Sequence, residues 1–515
     1  MTAANENQRL IAAMMRTDFY NHPVSQVELV ETHISWVFLT GDFAYKIKKP
    51  VNFGFLDFTQ LDRRKFYCEE EIRLNGRLAP DIYIDVVPVT ESNGTLRLDG
   101  QGRVVEYAIR MHQFDTHGLF SNLIDEDRIS LQHINALAER LANFHANIEI
   151  CSSDAVFGNA TNVINPVNQN FTILQSLLKS APQLNALNAI QQYSNNLFET
   201  LLFTLQQRKK SGHIRECHGD LHLGNIALSD NKIIIFDGIE FNDSFRWIDT
   251  MSDIAFLVMD LQDHHRDDYA NHLLNRYLEL TGDYDGLSVL RFYQLYRAMV
   301  RAKVAALRLQ QENPDAADYQ SVQNKLQNYL DLARQYTLPP PTFITITCGV
   351  SGSGKSWLAQ KLIDTTPAIV IRSDIERKRL FSHSAYNLYS TDITRQVYDH
   401  LLALTENILQ SGYAVIADAT FLDKTWRQSF QQLASRLNLP FHILYCHADI
   451  SLLEQRILQR QTDKHNISDA DIVVMHRQLE LIQEIDELEG RYCIDINTGE
   501  AIDVLAIKNK LTGRG

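Results

Sequence analysis

Short runs of residues that favour β-strands are concentrated between residues 27 and 115. One helical stretch, L-D-R-R-K-F-Y-C-E-E-E-I-R-L-N-G-R-L (61–78), interrupts them. The pattern therefore predicts a small sheet that packs with a single helix. The predicted strands are V-E-L-V (27–30), I-S-W-V-F-L (34–39), F-A-Y-K-I (43–47), I-D-V-V-P-V (84–89), T-L-R-L (95–98) and V-V-E-Y-A-I-R-M (104–111).

From about residue 130 the pattern becomes helical. One example is L-A-E-R-L-A-N-F-H-A (137–146), and a longer one, at 292–309, has apolar residues near helical spacing. The helical region ends at L-P-P-P-T (338–342), because three consecutive prolines cannot continue a helix and favour a stiff spacer. These features predict the following division: a first domain over 1–337, with one lobe at about 25–115 and a helical lobe at about 116–337, the linker 338–342, and a second domain over 343–515.

The second domain begins with a predicted buried strand, F-I-T-I-T-C-G-V (343–350). Further apolar runs begin at residues 368, 412 and 441, and helical segments lie between them. Alternating strands and helices favour a parallel sheet, with ligands at the carboxyl ends of the strands. The expected fold class of this domain is therefore α/β.

Composition limits the class of protein and its expected cellular location. The chain has 515 residues, of which 45% are hydrophobic and 22% charged, as in globular soluble proteins. Its six cysteines are scattered without a C-x-x-C pair, which argues against a disulfide framework or a zinc site. The beginning of the sequence does not resemble a signal peptide, and the apolar stretches are too short to span a bilayer. We therefore expect a cytoplasmic protein.

The net charge of −14 disfavours non-specific binding of nucleic acid. Small molecules are consequently the more plausible partners, and we expect no association with a membrane.

The motif H-G-D-L-H-L-G-N (218–225) places an Asp two residues after a His and an Asn five residues after that Asp. The catalytic loop of protein kinases, H-R-D-x-x-x-x-N, has this spacing. There the Asp accepts the proton of the acceptor hydroxyl and the Asn holds Mg²⁺. A second metal ligand, Asp237, follows in I-I-I-F-D-G (233–238), where an apolar run ends in an Asp. The first domain thus has the motif of a phosphotransferase.

Residues 25–335 resemble the group of aminoglycoside phosphotransferases and choline or fructosamine kinases. The resemblance includes H-G-D-x-H-x-x-N, the helix L-A-E-R-L-A-N-F-H (137–145) and the segment F-R-W-I-D-T-M-S-D-I-A (245–255). It implies an α+β, protein-kinase-like fold with two lobes. By this resemblance, Asp220 is the catalytic base, Asn225 and Asp237 bind Mg²⁺, and His218 and His222 shape the loop.

The same resemblance implies a strand lysine that binds the phosphates of ATP. Lys46 in F-A-Y-K is the expected residue, with Lys48 as the alternative, because the register of the strand is not determined by the sequence. Its partner on the helix would be one of Glu69, Glu70 and Glu71, of which we expect Glu70. The segment V-E-Y-A-I-R-M would contact adenine. The loop L-T-G-D-F has one glycine where protein kinases have G-x-G-x-x-G.

The motif G-V-S-G-S-G-K-S (349–356) fulfils G-x-x-x-x-G-K-[ST] between a predicted strand and a predicted helix. Glycines allow the backbone N–H groups to surround phosphates, and the helix N-terminus adds a favourable dipole. Lys355 would reach the β- and γ-phosphates, and Ser356 would bind Mg²⁺. The other residues expected to contact the nucleotide are Gly349, Ser351, Gly352, Ser353 and Gly354.

The second domain resembles the P-loop kinases that include zeta toxins, polynucleotide 5′-kinases and gluconate kinase. That resemblance implies a P-loop NTPase fold, with Asp374 as the base, Arg377 positioning the acceptor, and Arg456 and Arg460 in a lid that contacts the nucleotide. Asp374 could instead cap a helix, and the two lid arginines could form an i, i+4 pair on a solvated helix face. Asp418, at the end of a predicted strand, is expected to orient Mg²⁺.

The sequence thus predicts an ATP-dependent kinase with two nucleotide sites, ATP and Mg²⁺ as cofactors, and hydroxyl groups of small molecules as acceptors. In one alternative, one half is a regulatory module that binds a nucleotide or ligand and controls a single active P-loop kinase. In another, the protein phosphorylates nucleic-acid ends or nucleotide sugars. The acceptors themselves leave no motif.

Overall fold

The structure is a computed structural model that describes residues 3–54, 56–311, 318–382, 390–461 and 470–513. The strands are β1 (Glu28–Glu31), β2 (Ser35–Leu39), β3 (Phe43–Lys48), β4 (Tyr83–Ser92), β5 (Thr95–Leu98), β6 (Arg103–His112), β7 (Ile214–Glu216), β8 (Ile226–Ser229), β9 (Lys232–Ile235), β10 (Trp247–Asp249), β11 (Ile344–Cys348), β12 (Ala368–Arg372), β13 (Ala414–Asp418), β14 (Phe441–His447) and β15 (Cys493–Asn497).

The helices of the N-terminal part are α1 (Ala3–Met14), α2 (Leu61–Asn75), α3 (Phe120–Asp125), α4 (Leu131–Asn147), α5 (Ala160–Leu177), α6 (Ala181–Lys210), α7 (Asp243–Arg246), α8 (Thr250–Asp263), α9 (Asp267–Thr281), α10 (Leu287–Gln311) and α11 (Tyr319–Gln335). Those of the C-terminal part are α12 (Lys355–Ile363), α13 (Ser373–Leu380), α14 (Thr391–Gln410), α15 (Lys424–Leu437), α16 (Ile450–Gln461), α17 (Ile472–Leu481), α18 (Glu487–Gly490) and α19 (Val504–Thr512). Short 3-10 helices span Thr17–Phe19, Thr116–Gly118, Leu223–Asn225 and Tyr284–Gly286.

The chain forms two compact units. The first unit comprises residues 1–166 and 205–260, and the second comprises 167–204 and 261–515. Helices α9, α10 and α11 therefore share a unit with the C-terminal sheet. Residues 338–342 lie outside helices and strands, and the domain boundary expected there stays a prediction.

A six-stranded antiparallel sheet with the strand order β1-β2-β3-β6-β4-β5 dominates the first unit. Helix α2 packs against β4 and β6. The buried residues of α2 recur every three or four positions, so one face of this helix is directed at the sheet. These residues are Arg64, Cys68, Glu71, Leu74 and Asn75.

Two short two-stranded sheets complete the strand pairing of the first unit. Strands β8 and β9 form an antiparallel hairpin in which Ile226 is paired with Ile235, and β7 is paired with β10. Residues 218–225 lie between β7 and β8, so strand pairing fixes the loop at both ends.

The sheet of the second unit has the order β12-β13-β11-β14-β15, with every neighbouring pair parallel. Strands β11, β12 and β13 are buried almost throughout and are rich in apolar residues, as expected where helices cover both faces of a sheet, whereas the edge strand β15 is partly exposed. The predicted parallel sheet is confirmed, and β15 is a fifth strand that the apolar pattern did not reveal.

Helix α9 covers the exposed edge of β12. The side chain of Asn275 donates to the carbonyl oxygen of Ala368 (3.0 Å) and accepts from the N–H of Val370 (2.7 Å). Asn271 donates to the carbonyl oxygen of Ile363, and His272 lies 2.5 Å from the carboxylate of Asp364. The edge strand thus has its main-chain groups satisfied by side chains of a helix.

Across the described ranges, none of the helices combines the length and apolar character that a bilayer crossing requires.

Candidate active sites

The β8–β9 hairpin brings Asn225 and Asp237 to the same end of two paired strands. Asn225 directly precedes β8, and Asp237 is the second residue after β9. The N–H of Phe236 donates to the carbonyl oxygen of Asn225 at 3.0 Å, which fixes the two segments side by side. The segments that carry the amide and the carboxylate are therefore neighbours, and oxygen ligands of this kind are those that Mg²⁺ prefers.

Asp237 has a positive φ of 61°. Asp tolerates this left-handed region better than most residues, but the conformation is uncommon outside glycine. Gly238 follows, and its N–H donates to the side-chain oxygen of Asn75 on α2 (2.7 Å). The turn is therefore anchored to the helix that packs on the sheet.

The buried carboxylate of Asp253, in α8, holds the start of the 218–225 loop. It accepts from the N–H of His218 at 2.8 Å and from the N–H of Gly219 at 2.9 Å. Gly219 has φ +85°, and a Cβ there would lie 2.6 Å from the carbonyl oxygen of Phe245. The second residue of the motif is consequently restricted to glycine.

His218 links the loop to the β9 segment. Its Nδ1 accepts from the N–H of Asp220 (3.3 Å), so Nε2 carries the proton and donates to the carbonyl oxygen of Phe236 (2.9 Å). Burial lowers the pKa of His218 despite the nearby carboxylates, which favours the neutral ring. His218 thus connects the 218–225 loop to the segment after β9, and its loop-shaping role stays a prediction.

Asp220, Asn225 and His222 lie together. The Nδ2 of Asn225 donates to the carbonyl oxygen of Asp220 (3.0 Å) and approaches its carboxylate (3.2 Å). Nε2 of His222 lies 3.4 Å from the same carboxylate. The amide nitrogen of Asn225 is thus engaged, and its oxygen is the atom suited to a metal. About a third of the Asp220 side chain (37%) is exposed, as a base that meets a diffusing acceptor must be.

The ion pair on the sheet corrects one expectation. Lys46 contacts Glu71 (2.8 Å) and Asp237 (2.5 Å), whereas Glu70 is paired with Arg73 (2.8 Å). The partner of Lys46 is therefore Glu71 and not Glu70. The helical spacing of Cys68, Glu71 and Leu74 was the available signal, because it places Glu71 on the buried face of α2.

Lys48, the alternative strand lysine, is fully buried and contacts Glu71 (2.6 Å) and Glu240. Lys46 is 12% exposed, and its second partner, Asp237, is half exposed. Burial opposes the charge of Lys46, but Asp237 and Glu71 outweigh it and raise its pKa well above the usual value. Lys46 therefore lies beside the candidate metal ligand, whereas Lys48 neutralises two buried carboxylates.

In the second unit, the loop between β11 and α12 has the glycine conformations that a phosphate loop requires. Gly349, Gly352 and Gly354 all have positive φ. A Cβ on Gly349 would lie 2.2 Å from the carbonyl oxygen of Cys446, so close backbone approach also requires glycine there. Ser351 and Ser353 lie in the same loop, which leads directly into the N-terminus of α12.

Lys355 is the first residue of α12 and is directed back over the loop. Its Nζ donates to the carbonyl oxygen of Val350 (2.7 Å) and approaches Oγ of Ser353 (3.4 Å). Burial lowers the pKa of Lys355, although Asp418 opposes this effect. Ser356 follows Lys355 in the first turn of α12. A desolvated ammonium group whose hydrogen-bond partners are neutral is well suited to bind an anionic phosphate.

Gln478, from α17, contacts the phosphate loop directly. Its Oε1 accepts from the N–H of Ser351 at 2.7 Å. Sequence reasoning did not identify Gln478, which is more than a hundred residues from the motif.

Asp418 ends β13 beside the phosphate loop. It accepts from Oγ1 of Thr347 (3.3 Å), and Nε of Arg372 lies 3.5 Å from its other oxygen. Arg372 is in turn held by Glu279 of α9 (3.1 Å). Asp418 and Ser356 supply a carboxylate and a hydroxyl near the loop, which is a donor set that fits Mg²⁺.

Asp374 lies in the first turn of α13, directly after β12. This helix begins at Ser373, and its N-cap is Arg372, without a side-chain cap bond. Asp374 therefore does not cap the helix. Its carboxylate is one of the groups that oppose the fall in the pKa of Lys355.

The three remaining arginines have different surroundings. Arg377 is buried and its Nη1 lies 3.5 Å from Oγ1 of Thr394 on α14. Arg456 donates to the carbonyl oxygen of Gly352 (3.3 Å) and to Thr498 (2.8 and 2.7 Å). Arg460 donates to the carbonyl oxygen of Ala470 (3.0 Å). Arg456 therefore contacts the phosphate loop and does not lie on a solvated face.

Two family models match the chain. Residues 68–293 match the model described as "Phosphotransferase enzyme family", and residues 344–485 match one described as "AAA domain". The first segment is thus similar to phosphotransferases, and the second to proteins with an AAA domain. The protein is therefore an enzyme with a kinase-like first part and a P-loop kinase-like second part, and the predicted fold class is confirmed.

Mycobacterial proteins are similar to this chain over most of its length. An uncharacterized protein of Mycobacterium tuberculosis and one of Mycobacterium bovis are each 28% identical to this chain over 451 residues, which is 85% of this chain and 88% of theirs.

Solved structures of kinases resemble each half. A choline kinase of Cryptosporidium parvum is 10% identical, with 64% of this chain and 96% of that chain covered and a TM-score of 0.40. A gluconokinase of Sinorhizobium meliloti is 18% identical, with 34% of this chain and 91% of that chain covered and a TM-score of 0.25.

Proposed function

We propose that the protein transfers the γ-phosphate of ATP to hydroxyl groups of small molecules at two separate sites. The observation that carries this proposal is the hairpin geometry of the first unit. Asn225 and Asp237 lie on the two neighbouring segments at one end of the hairpin, Asp220 contacts Asn225, and Lys46 contacts Asp237. These are the parts that phosphoryl transfer requires: a base, oxygen ligands for a metal and a cation for the phosphates.

At the first site, Asp220 accepts the proton of the acceptor hydroxyl. His218 and Asp253 hold the loop that carries it, so that the carboxylate does not reorganise during the reaction. Lys46 exchanges its contact with Asp237 for contacts with phosphate oxygens, while Glu71 keeps it oriented. Asn225 and Asp237 would hold Mg²⁺, which supplies neutralisation of phosphate charge when bound.

At the second site, the N–H groups of residues 349–354 and the N-terminus of α12 bind the phosphates, and Lys355 leaves Val350 to contact them. Asp374 accepts the proton of the second acceptor, and Arg377 positions it. Arg456, already bound to the loop at Gly352, and Arg460 act in the lid. Ser356 and Asp418 would hold Mg²⁺.

Two variants test the two sites separately in the full-length protein. Labelled ATP is supplied with a panel of hydroxylated metabolites, and phosphorylated products are measured. Asp220→Ala is expected to lower one set of products by about 10²–10⁴-fold, and Lys355→Ala to lower the other by about 10²–10³-fold. Matched controls are Asp81→Ala, an exposed partner of Lys232, and Lys361→Ala, farther along α12.

The outcome separates the alternatives. If Asp220→Ala leaves every phosphotransfer activity intact, the first site is not catalytic and a regulatory role replaces it. If Lys355→Ala has no effect, the same conclusion holds for the second site.

We further propose that the acceptors are small cytoplasmic metabolites and not nucleic-acid ends. The net charge of −14 supports this proposal, because a polyanion would be repelled at long range. Phosphorylation of the 5′ end of an oligonucleotide at a rate that exceeds that of every metabolite would contradict it.

A further inference from the structure

A cavity of about 500 Å³ lies in the first unit, apart from the two candidate active sites. It is formed by the C-terminal end of α2 and the residues after it, the C-terminal half of α4, and β7. Three arginines line it, Arg73, Arg77 and Arg140, together with the two acidic residues Glu149 and Glu216. Its volume is in the range of sites for small metabolites.

One carboxylate in this cavity serves several guanidinium groups. Glu216, with a side chain only 5% exposed, lies 2.7 Å from Arg73, 3.2 Å from Arg77 and 3.1 Å from Arg246. The second acidic residue, Glu149, is exposed to solvent. Arg73 is also paired with Glu70 (2.8 Å), whereas no carboxylate lies within ion-pair distance of Arg140 among the residues that the structure describes.

Arg140 is the least satisfied of the three arginines. Its Nη2 donates to the carbonyl oxygen of Leu78, which has no net charge. Its Nε is buried and has no hydrogen-bond partner among the residues that the structure describes. Burial lowers the pKa of Arg140 and, against the opposing effect of Glu216, that of Arg77. Both groups stay charged in proteins, so their desolvation is unfavourable until a further anion approaches.

We propose that this cavity binds a small metabolite through a phosphate or carboxylate group held by Arg77 and Arg140. Guanidinium groups donate to such oxygens in pairs, in charge-assisted hydrogen bonds that are stronger than neutral ones. The bound anion would complete the hydrogen bonding of Arg140 and supply the counter-charge that this guanidinium lacks. The cavity is larger than inorganic phosphate requires, so the ligand carries more atoms than the anionic group alone.

The site touches two elements that hold the catalytic loop and the lysine pair. Helix α2 carries Arg73 two residues after Glu71, the partner of Lys46. Glu216 is the last residue of β7, and His218 follows two residues later. An occupant would therefore restrain both elements. An effect of the occupant on phosphotransfer at the first site rests on the proposed function, whereas the binding of the anion does not.

The test measures binding to the full-length protein in the presence of saturating Mg²⁺ and a non-hydrolysable ATP analogue, which fills the nucleotide sites. Inorganic phosphate, pyrophosphate and citrate are titrated by calorimetry, so that phosphate and carboxylate chemistry are distinguished. We expect at least one probe to bind, and Arg140→Gln to weaken that binding about tenfold or more. Arg128→Gln, an exposed arginine paired with Glu126, is the matched control and is expected to leave binding unchanged.

Hydrogen exchange of the wild-type protein locates the bound probe. Protection is expected in peptides that contain residues 73–78 and 140–149. The proposal is overturned if no probe binds, if the affinity of Arg140→Gln equals that of the wild type, or if protection appears only at residues 349–356. If Arg140→Gln does not fold, Arg140→Lys replaces it, and the location of protection in the wild type decides the outcome.

Discussion

Replacement of Lys48 by Met is the most direct test of the roles assigned to the two strand lysines. Lys48 is fully buried between Glu71 and Glu240, whose side chains are 0% and 5% exposed. The substitution keeps the apolar stem but removes the ammonium group, so that two carboxylates lose a shared counter-charge. Lys46→Met should destabilise the protein less, because Glu71 still has Lys48 as a partner.

Removing one partner of a buried ion pair destabilises a protein by about 3–5 kcal/mol. For a folding unit of roughly 150–250 residues, each kcal/mol lowers the Tm by about 2–4 °C, so Lys48→Met is expected to lower it by about 6–20 °C. For Lys46→Met we expect a loss of about 1.5–3 kcal/mol, the range of one hydrogen bond to a charged group. Its main effect should be a fall of about 10²–10³-fold in phosphotransfer at the first site.

Thermal denaturation of the full-length variants, with hydrogen exchange of peptides from β2 and β3, measures the stability effect locally. Lys65→Met is the control, because its ion pair with Glu69 is about half exposed and contributes about 0–1 kcal/mol. A Lys48→Met protein as stable as the wild type would refute the reasoning. So would a Lys46→Met protein that is less stable than Lys48→Met but fully active.

The same cluster predicts a pH dependence. Burial opposes ionisation of Glu71, but Lys46 and Lys48 outweigh it and lower the pKa of its carboxyl to about 2. The pKa in the unfolded chain is about 4.3. The stabilisation by ionised Glu71 is therefore fully present above about pH 5 and is lost as the pH falls toward the folded pKa. The destabilisation caused by Glu71→Gln should be larger at pH 6 than at pH 3.5. Equal destabilisation at both would contradict the assignment.

Three further predictions concern the second unit. Asn275→Ala leaves the N–H of Val370 and a carbonyl oxygen of β12 unpaired, so we expect a loss of about 2–5 kcal/mol and faster hydrogen exchange in β12; unchanged exchange would show that α9 does not protect this edge. Glu279→Gln weakens the ion pair that holds Arg372, so that Arg372 approaches Asp418 more closely. The Mg²⁺ concentration for half-maximal activity at the second site should then rise about fivefold. An unchanged or lower Mg²⁺ concentration would contradict a link between Glu279 and Asp418. A protease site introduced at 339–341 should give two fragments that co-elute after cleavage, because α9 stays packed on β12; separate elution would refute this.

Among the candidate residues, those close together in sequence were the easiest to predict. The spacing in 218–225 reflects chemistry that a single loop performs, and the hairpin then brings in Asp237 twelve residues after Asn225. Similarly, the glycines of 349–354 follow from the need for positive φ and close backbone approach. In both cases the local chain geometry constrains the residue types strongly enough to leave a motif.

Other residues depend on periodicity that is ambiguous in sequence. Lys46 and Lys48 lie two positions apart in β3, so their side chains are on the same face of the sheet and both reach Glu71. The alternation of the strand cannot show which lysine lies beside the candidate site. Only their second partners distinguish them, because Lys46 contacts Asp237 and Lys48 contacts Glu240. The choice of Glu70 was wrong because three consecutive glutamates hide which one is in phase with the buried face of α2.

The sequence by itself determined the two candidate motifs, the strand-rich beginning, the helical middle and the parallel sheet at the end. Only the tertiary structure revealed Asp253 beside the 218–225 loop, Gln478 on the 349–354 loop, the α9 cover of β12 and the arginine-lined cavity. The physical reason is the range of the interactions. A motif records contacts within a few residues, where backbone geometry fixes the spacing, whereas a partner from a distant element can come from any position that packing brings near.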